Sequence, residues 1–371
     1  MSFFALVVKN LARQRVRTGL TTLGISIGIA TVVALGVVVA GVKRTSEQVL
    51  RAYDSDFFVA QKGSSDLSFS AVSEQEWRAV SELPAVERTI GALFHFSKVG
   101  SNPLFLTVGV TPEDLANAGI DVREGSLLSP GAADEVVLGE GAARSLKKTV
   151  GDTVQIDRQS LRVVGVFRSG ILWENNGAYA ALDTVQAIAK KPDVVTMVYV
   201  KVRPGLDPST VATEIEDTFP LLTAVGSLGE YSEVDQGIQV MDAVNLAISA
   251  LAVGIGAIGV MNTMVMSVFE RTREIGILRA VGWSGGRIMR MIIGESLLLC
   301  VFAALVGAAL GVLAAQALQL IELVRNFLEP KYELAVFVRA LVVAVLVALV
   351  GAAYPAARAV RLTPMEALRY E

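Results

Sequence analysis

The sequence predicts an α-helical four-span membrane protein with a large α+β extracytoplasmic domain between spans one and two. Three observations lead there. The chain is 53% hydrophobic and 19% charged, with a mean hydropathy of +0.53, well above a water-soluble domain. Four apolar segments each reach the roughly 20 residues that a helix needs to cross the hydrocarbon core. The first two are separated by residues 43–243, whereas the later gaps are short.

Residues 1–18 read as a cytoplasmic, amphipathic and basic segment. Phe4, Val7, Val8 and Leu11 share a helical face, with Lys9 and Arg13 off it, which suits a helix lying in the membrane interface. A plain extension of the first span is the alternative. That span, GLTTLGISIGIATVVALGVVVAGV at 19–42, contains no ionisable side chain and is too long for the apolar core of a cleavable signal, so it is expected to stay as an anchor. The remaining spans are placed at 244–268, 288–320 and 336–354. A cytoplasmic loop at 269–287, a short extracytoplasmic loop at 321–335 and a cytoplasmic tail at 355–371 complete the chain.

Orientation follows from the basic flanks, because cytoplasmic loops retain Lys and Arg. Lys9, Arg13, Arg15 and Arg17 precede span one; Arg271, Arg273, Arg279, Arg287 and Arg290 follow span two; Arg358, Arg361 and Arg369 follow span four. An even number of spans puts all three clusters on one side, so both termini are expected in the cytoplasm.

Between spans one and two the pattern becomes globular. Ser73 with Glu76 three residues on forms a capping box that opens a short helix ending before Pro84. LFLTVGV, DEVVLG, DTVQID, LRVVGVFRS and TMVYVKV read as strands, and GEGAARSLKK and DPSTVATEIEDTF as helices. This mixture predicts an α+β domain of two subdomains over 43–243.

Several kinds of chemistry find no support. His95 is the only histidine, it stands between Phe94 and Phe96, and no Ser lies in a G-x-S-x-G context; it reads as a packed or loop residue, and no catalytic residue is assigned. Acidic residues are scattered without metal-ligand spacing, so no metal site is assigned. LGEGAARS resembles a phosphate loop superficially, but no Gly-Lys dipeptide occurs in the sequence, so a Walker A site is missing. A net charge of −3 gives no reason to expect nucleic acid, and the one cysteine, Cys300, cannot form an intrachain disulfide.

VFERTREIGILRAVGWSGGRIMRMII, residues 268–293, is strongly charged for a stretch between two apolar blocks. VGIGAIGVMNTMVMSVFERTREIGILRAVGW (253–283), ESLLLCVFAALVGAALG (295–311) and YPAARAVRLTPMEALRYE (354–371) resemble the permease signature of the MacB/FtsX-like ABC transporters. NLARQRVRTGLTTLGISIGIATVV, and DEVVLGEGAARSLKKTVGDTVQIDRQSLRVVGV in the outside domain, resemble that family's first span and periplasmic core domain. The resemblance implies that the loop after span two is a coupling helix docking on an ABC ATPase subunit. Its residues here are Phe269, Glu270, Arg271, Thr272, Arg273, Glu274, Ile275, Gly276, Leu278 and Arg279, with Gly282 as the left-handed stop. Glu270 with Arg273, and Arg271 with Glu274, stand three apart and can pair.

Two further features belong to the membrane part. Gly254, Gly256 and Gly259 in span two, and Gly307 and Gly311 in span three, offer small surfaces for helix contact, within the chain or between subunits. Glu295 is a charge inside span three and needs a partner; Arg290 and Arg287 are nearest in sequence.

MacB-type members can carry a nucleotide-binding domain before the first span; this chain is expected to be the split-subunit form. The function implied is a permease subunit of the mechanotransmission type, in which a separate cytoplasmic ATPase moves the extracytoplasmic domains to export or extract a substrate. The chain itself is then not an enzyme and binds no cofactor, with ATP and Mg held by the ATPase. It sits in the lipid bilayer of the bacterial inner membrane as a homodimer or a heterodimer with a related permease, with an extracytoplasmic adaptor, lipoprotein or hydrolase as further partner. An FtsX-like signalling module that controls a cell-wall hydrolase is the alternative.

Overall fold

A computed structural model describes residues 15–64 and 66–361. The interfacial helix expected in residues 1–18 falls mostly outside them. The described residues divide into a membrane unit, made of the chain up to Ala40, Asp242–Leu318 and the chain from Pro330, and an extramembrane unit, Gly41–Met241 with Gln319–Glu329.

Among the described residues four helices are long and apolar enough to cross a membrane: Arg15–Leu50, Gln236–Glu270, Gly285–Leu318 and Leu334–Arg361. All four are longer than the hydrocarbon core needs. At about 1.5 Å per residue the 36 residues of the first span about 54 Å, against a hydrocarbon core of about 30 Å. The second starts eight residues before the expected 244, where the Asp235 carboxylate accepts from the backbone N–H of Ile238 at 3.0 Å. Gln236 and Gln239 make that first stretch read as domain rather than span. The fourth continues through residues expected as tail, because Ala356 and Ala359 are buried against Val268, Ile275 and Ile288.

Small and hydroxyl residues set the packing inside the membrane unit. A Cβ on Gly307 would lie 2.7 Å from the Ser26 carbonyl oxygen, and one on Gly311 2.8 Å from that of Ala30, so both glycines bring span three against span one of the same chain. Gly256 faces Val347 of span four at 3.1 Å, whereas a Cβ on Gly254 or Gly259 meets nothing of this chain within 4 Å. Ser26 donates to the Ala303 carbonyl at 2.9 Å, Ser296 donates to that of Ala348 at 3.0 Å, and the Thr21 and Thr263 hydroxyls lie 2.6 Å apart. Such bonds satisfy polar groups where no water is at hand.

The extramembrane unit is built on strands β1 (Phe57–Gln61), β2 (Val72–Ser73), β3 (Val86–Val99), β4 (Asn102–Val110), β5 (Asp121–Gly125), β6 (Glu135–Gly139), β7 (Thr153–Ile156), β8 (Gln159–Arg168), β9 (Ala178–Ala181), β10 (Val194–Val195), β11 (Met197–Val202) and β12 (Leu222–Val225). One sheet runs in the order β12-β1-β11-β3-β4-β9-β6-β8-β5, with β7 added on β8, while β2 and β10 pair separately. The two expected subdomains are joined by this shared sheet. Strand β3 is the joint, pairing with β11 through Val86–Ala92 and with β4 through Leu93–Val99.

Alternate residues point to opposite faces of a sheet, and here both faces are covered. Phe57 and Val59 of β1, and Val198 and Val200 of β11, enter one core; Phe58, Ala60, Met197 and Tyr199 enter the other. Double burial is why these strands are unbroken apolar runs. The helix Glu74–Ser81 opens with the expected capping box, Ser73 and Glu76 bonding reciprocally. Its Trp77 lies over Gly91, where a Cβ would come within 2.7 Å of the ring, and donates from Nε1 to Thr89 at 2.9 Å. In the loop after span three a helix, Glu322–Phe327, joins this unit: the Asn176 amide donates to the Asn326 carbonyl at 3.1 Å.

Glu174 is the domain's misplaced charge. It is half-buried and lines a cavity of about 200 Å³ together with Tyr53, Tyr179 and Ser169. Burial pushes its carboxyl above the ordinary value, against hydrogen bonds from Ser169, at 2.7 Å, and Tyr179.

Two outcomes are expected. Gly307→Leu and Gly311→Val, which force two backbones apart, should each cost about 1–3 kcal/mol, read as a lower melting temperature in detergent, while Gly254→Ala and Gly259→Ala should not. Between the ordinary and the raised pKa of Glu174 the folded chain holds a proton that the unfolded chain has lost, so stability falls as pH rises through that window. Glu174→Gln should therefore melt higher than the parent at pH 8, with the difference closing below about pH 4.

Candidate functional site

The charged stretch between spans two and three folds as a turn, a helix and a second turn. The second span ends at Glu270; Arg271 leaves helical geometry with φ −110° and ψ 15°; a helix then runs Thr272–Ala280. The Thr272 hydroxyl bridges the break, bonded to the carbonyls of Val268 at 3.1 Å and Phe269 at 2.9 Å. At the far end the Gly282 N–H bonds the Arg279 carbonyl at 3.1 Å and the Trp283 N–H that of Leu278 at 3.0 Å. That pair of bonds is a Schellman stop. It needs Gly282 at φ +97°, a conformation without strain only for glycine.

One face of this helix is committed to the membrane unit. Thr272, Ile275 and Gly276 are buried, and Ile275 packs with Val268, Ile288, Ile292, Ala356 and Ala359, with Trp283 against the edge. Gly285 lets the end of the fourth helix approach, since a Cβ there would meet Val360 at 2.7 Å. Phe269 is held under the Arg358 guanidinium, 4.5 Å from its ring centre. Thr272, Ile275 and Gly276, three of the eleven residues named from the sequence, are thus buried within the chain.

Arg271 is the hub. Its Nη1 lies 2.9 and 3.1 Å from the two carboxylate oxygens of Glu295, and its Nε is 3.3 Å from Glu274. The Arg271 and Glu295 side chains are 15% and 4% exposed, so this is a buried pair, while Glu274 stands in solvent. This corrects the expected partners of Glu295. Arg290 and Arg287, five and eight residues earlier on the same helix, project roughly 140° and 80° around the axis from it. Arg290 instead bonds the Gly286 carbonyl from Nε at 3.3 Å.

The opposite face is open. Glu270, Arg273 and Glu274 are exposed, Leu278 and Arg279 are half-buried, and two apolar side chains stand among the charges: Ile277 at 49% and Val281 at 78% exposure. Neither was singled out from the sequence. Their spacing of four was a signal for one helical face, but in a hydrophobic chain it does not tell a buried face from a bare one. In the extramembrane unit, His95 Nε2 pairs with Asp157 Oδ2 at 2.7 Å on the surface.

Arg271→Leu leaves Glu295 buried without this countercharge and is expected to cost about 3–5 kcal/mol, read as a lower melting temperature of the solubilised chain. Replacing both, with Arg271→Leu and Glu295→Leu together, should cost less than Arg271→Leu alone.

Residues 18–218 match the MacB-like periplasmic core domain, and residues 246–364 the FtsX-like permease C-terminal domain. The chain is 26% identical over 389 residues to an ABC transporter permease of Methanocaldococcus jannaschii, covering 98% of this chain and 96% of that protein. It is also 26% identical to the macrolide export ATP-binding/permease protein MacB of Bdellovibrio bacteriovorus, again over 98% of this chain but over only 61% of the relative's length. The crystal structure of the periplasmic region of MacB from Actinobacillus actinomycetemcomitans aligns with 46% of this chain and 88% of its own, with a TM-score of 0.38 at 13% identity. The first match spans more than half of the chain: the protein belongs to the MacB-like periplasmic core domain family and, with the second, is a MacB/FtsX-like ABC transporter permease.

Proposed function

We propose that this chain is the permease subunit of a mechanotransmission transporter, in which a separate cytoplasmic ATPase drives movement of the extracytoplasmic domain to export or extract a substrate. The observation that carries the reading is the bare face of the helix Thr272–Ala280. Ile277 and Val281 stand exposed between Arg273, Glu270 and Glu274, an apolar centre with a charged rim, as protein interfaces have. The same helix is tied by Arg271 and Glu295 to span three and by a two-bond turn to span two. A push on that face reaches both helices.

Further support comes from the sequence and its relatives. No Gly-Lys dipeptide occurs in the 371 residues, which accords with ATP and Mg being bound by a partner ATPase. A relative matched over 96% of its length is named a permease. The basic clusters support a topology with the helix Thr272–Ala280 and both termini in the cytoplasm of an inner-membrane protein and residues 43–243 outside. Two copies, or this chain and a related permease, would supply a docking helix for each of two ATPase subunits. The match to the MacB-like core domain favours transport over an FtsX-like signalling role.

Isolation from native membranes in mild detergent should recover a Walker-motif ATPase in equal number. Val281→Asp should cut that recovery about tenfold or more, and Glu274→Lys should uncouple ATP hydrolysis from transport without preventing insertion. No ATPase, under conditions that preserve a known ABC complex, would overturn the proposal.

A further inference from the structure

Two of the charges between spans two and three are not used by the docking helix. Arg287 and Arg290 open span three, exposed and one turn apart. Among the described residues no carboxylate pairs with either, Glu295 being bound to Arg271. With Trp283, Ile293, Gly294 and Leu297 they line a cavity of about 560 Å³. Residues 287, 290, 294 and 297 recur at helical spacing, so the cavity follows one face of span three.

Its lining changes character along the helix axis. Arg287 and Arg290 stand at one end with the Trp283 indole, an amphipathic ring of the kind that sits at headgroup level. Leu297 stands at the other, ten residues and therefore about 15 Å further on, roughly the depth of hydrocarbon in one leaflet. Between them Gly294 leaves a gap in the helix surface. Two guanidinium groups without a carboxylate call for an anion at the shallow end, and the apolar end calls for hydrocarbon. A phospholipid carries both on one molecule, in the same order and at the same spacing.

We propose that this cavity is a binding site for one anionic phospholipid, its phosphate held by Arg287 and Arg290 and an acyl chain laid against Gly294 and Leu297. The inference needs only that the third helix cross the bilayer; the topology proposed above places the lipid in the cytoplasmic leaflet, where anionic lipids are enriched. Trp283 belongs at once to this cavity and to the Schellman stop of the docking helix, so the lipid braces the turn through which that helix is held.

The test uses the full chain in phosphatidylcholine vesicles containing a minor fraction of phosphatidylglycerol brominated on its acyl chains, or of equally brominated phosphatidylcholine. Trp283 emission is obtained as the difference between the parent and Trp283→Phe. The brominated phosphatidylglycerol should quench it at a mole fraction lower on the order of tenfold. Arg287→Gln with Arg290→Gln should abolish that preference while leaving quenching by phosphatidylcholine, which shows that the variant is inserted. Gly294→Leu keeps both charges, fills the gap, and should also lose the preference. Equal quenching by the two lipids in the parent, no quenching by either because protein covers the cavity, or an undiminished preference in Gly294→Leu, as from surface charge alone, would each overturn the site.

Discussion

The ion pair between Arg271 and Glu295 is the constraint on which the membrane unit's polar end depends. Both side chains are nearly out of solvent, where an unpaired charge costs several kcal/mol. Once Glu295 is committed to a site facing span two, the chain between them has little choice. It must leave the second helix at Arg271, aim that side chain inward, and restart as a separate helix. The Thr272 hydroxyl makes the break tolerable by taking up the Val268 and Phe269 carbonyls. Gly282 then makes the second turn. A charged stretch amid apolar sequence is thus a structural joint first and a surface second.

The division of labour on that joint is by face. Ile275 and Thr272 look inward and fix the helix; Ile277 and Val281 look outward with the charges around them. The helix thus has one face anchored in the membrane unit and one face bare. The cavity beside Arg287 and Arg290 lies on another flank of the same joint, around the axis of span three.

The extramembrane unit is stabilised differently. Its sheet is buried on both faces, and its halves share the 14-residue strand β3, so neither half has a complete core without the other. Gly91 lies in this strand, where the Trp77 ring covers it. Burial of Glu174 works against stability at neutral pH, a cost the double core absorbs.

Composition and periodicity by themselves determined the four spans, the domain between the first pair, the capping box at Ser73 and the strands in LFLTVGV, DEVVLG, DTVQID, LRVVGVFRS and TMVYVKV. These are local properties, written in hydropathy, alternation and backbone conformation over a few residues. Strand β3 escaped because Glu87, Arg88 and Gly91 interrupt its alternation, and the helix start at Gln236 escaped because polar residues leave the hydropathy pattern without leaving the helix. Only the tertiary structure decided which charge pairs with Glu295, which glycines pack within the chain, and which face of the helix Thr272–Ala280 is bare. Sequence distance ranks partners along one helix, whereas an ion pair forms between whichever groups two helices bring within 3 Å, here Arg271 across 24 positions.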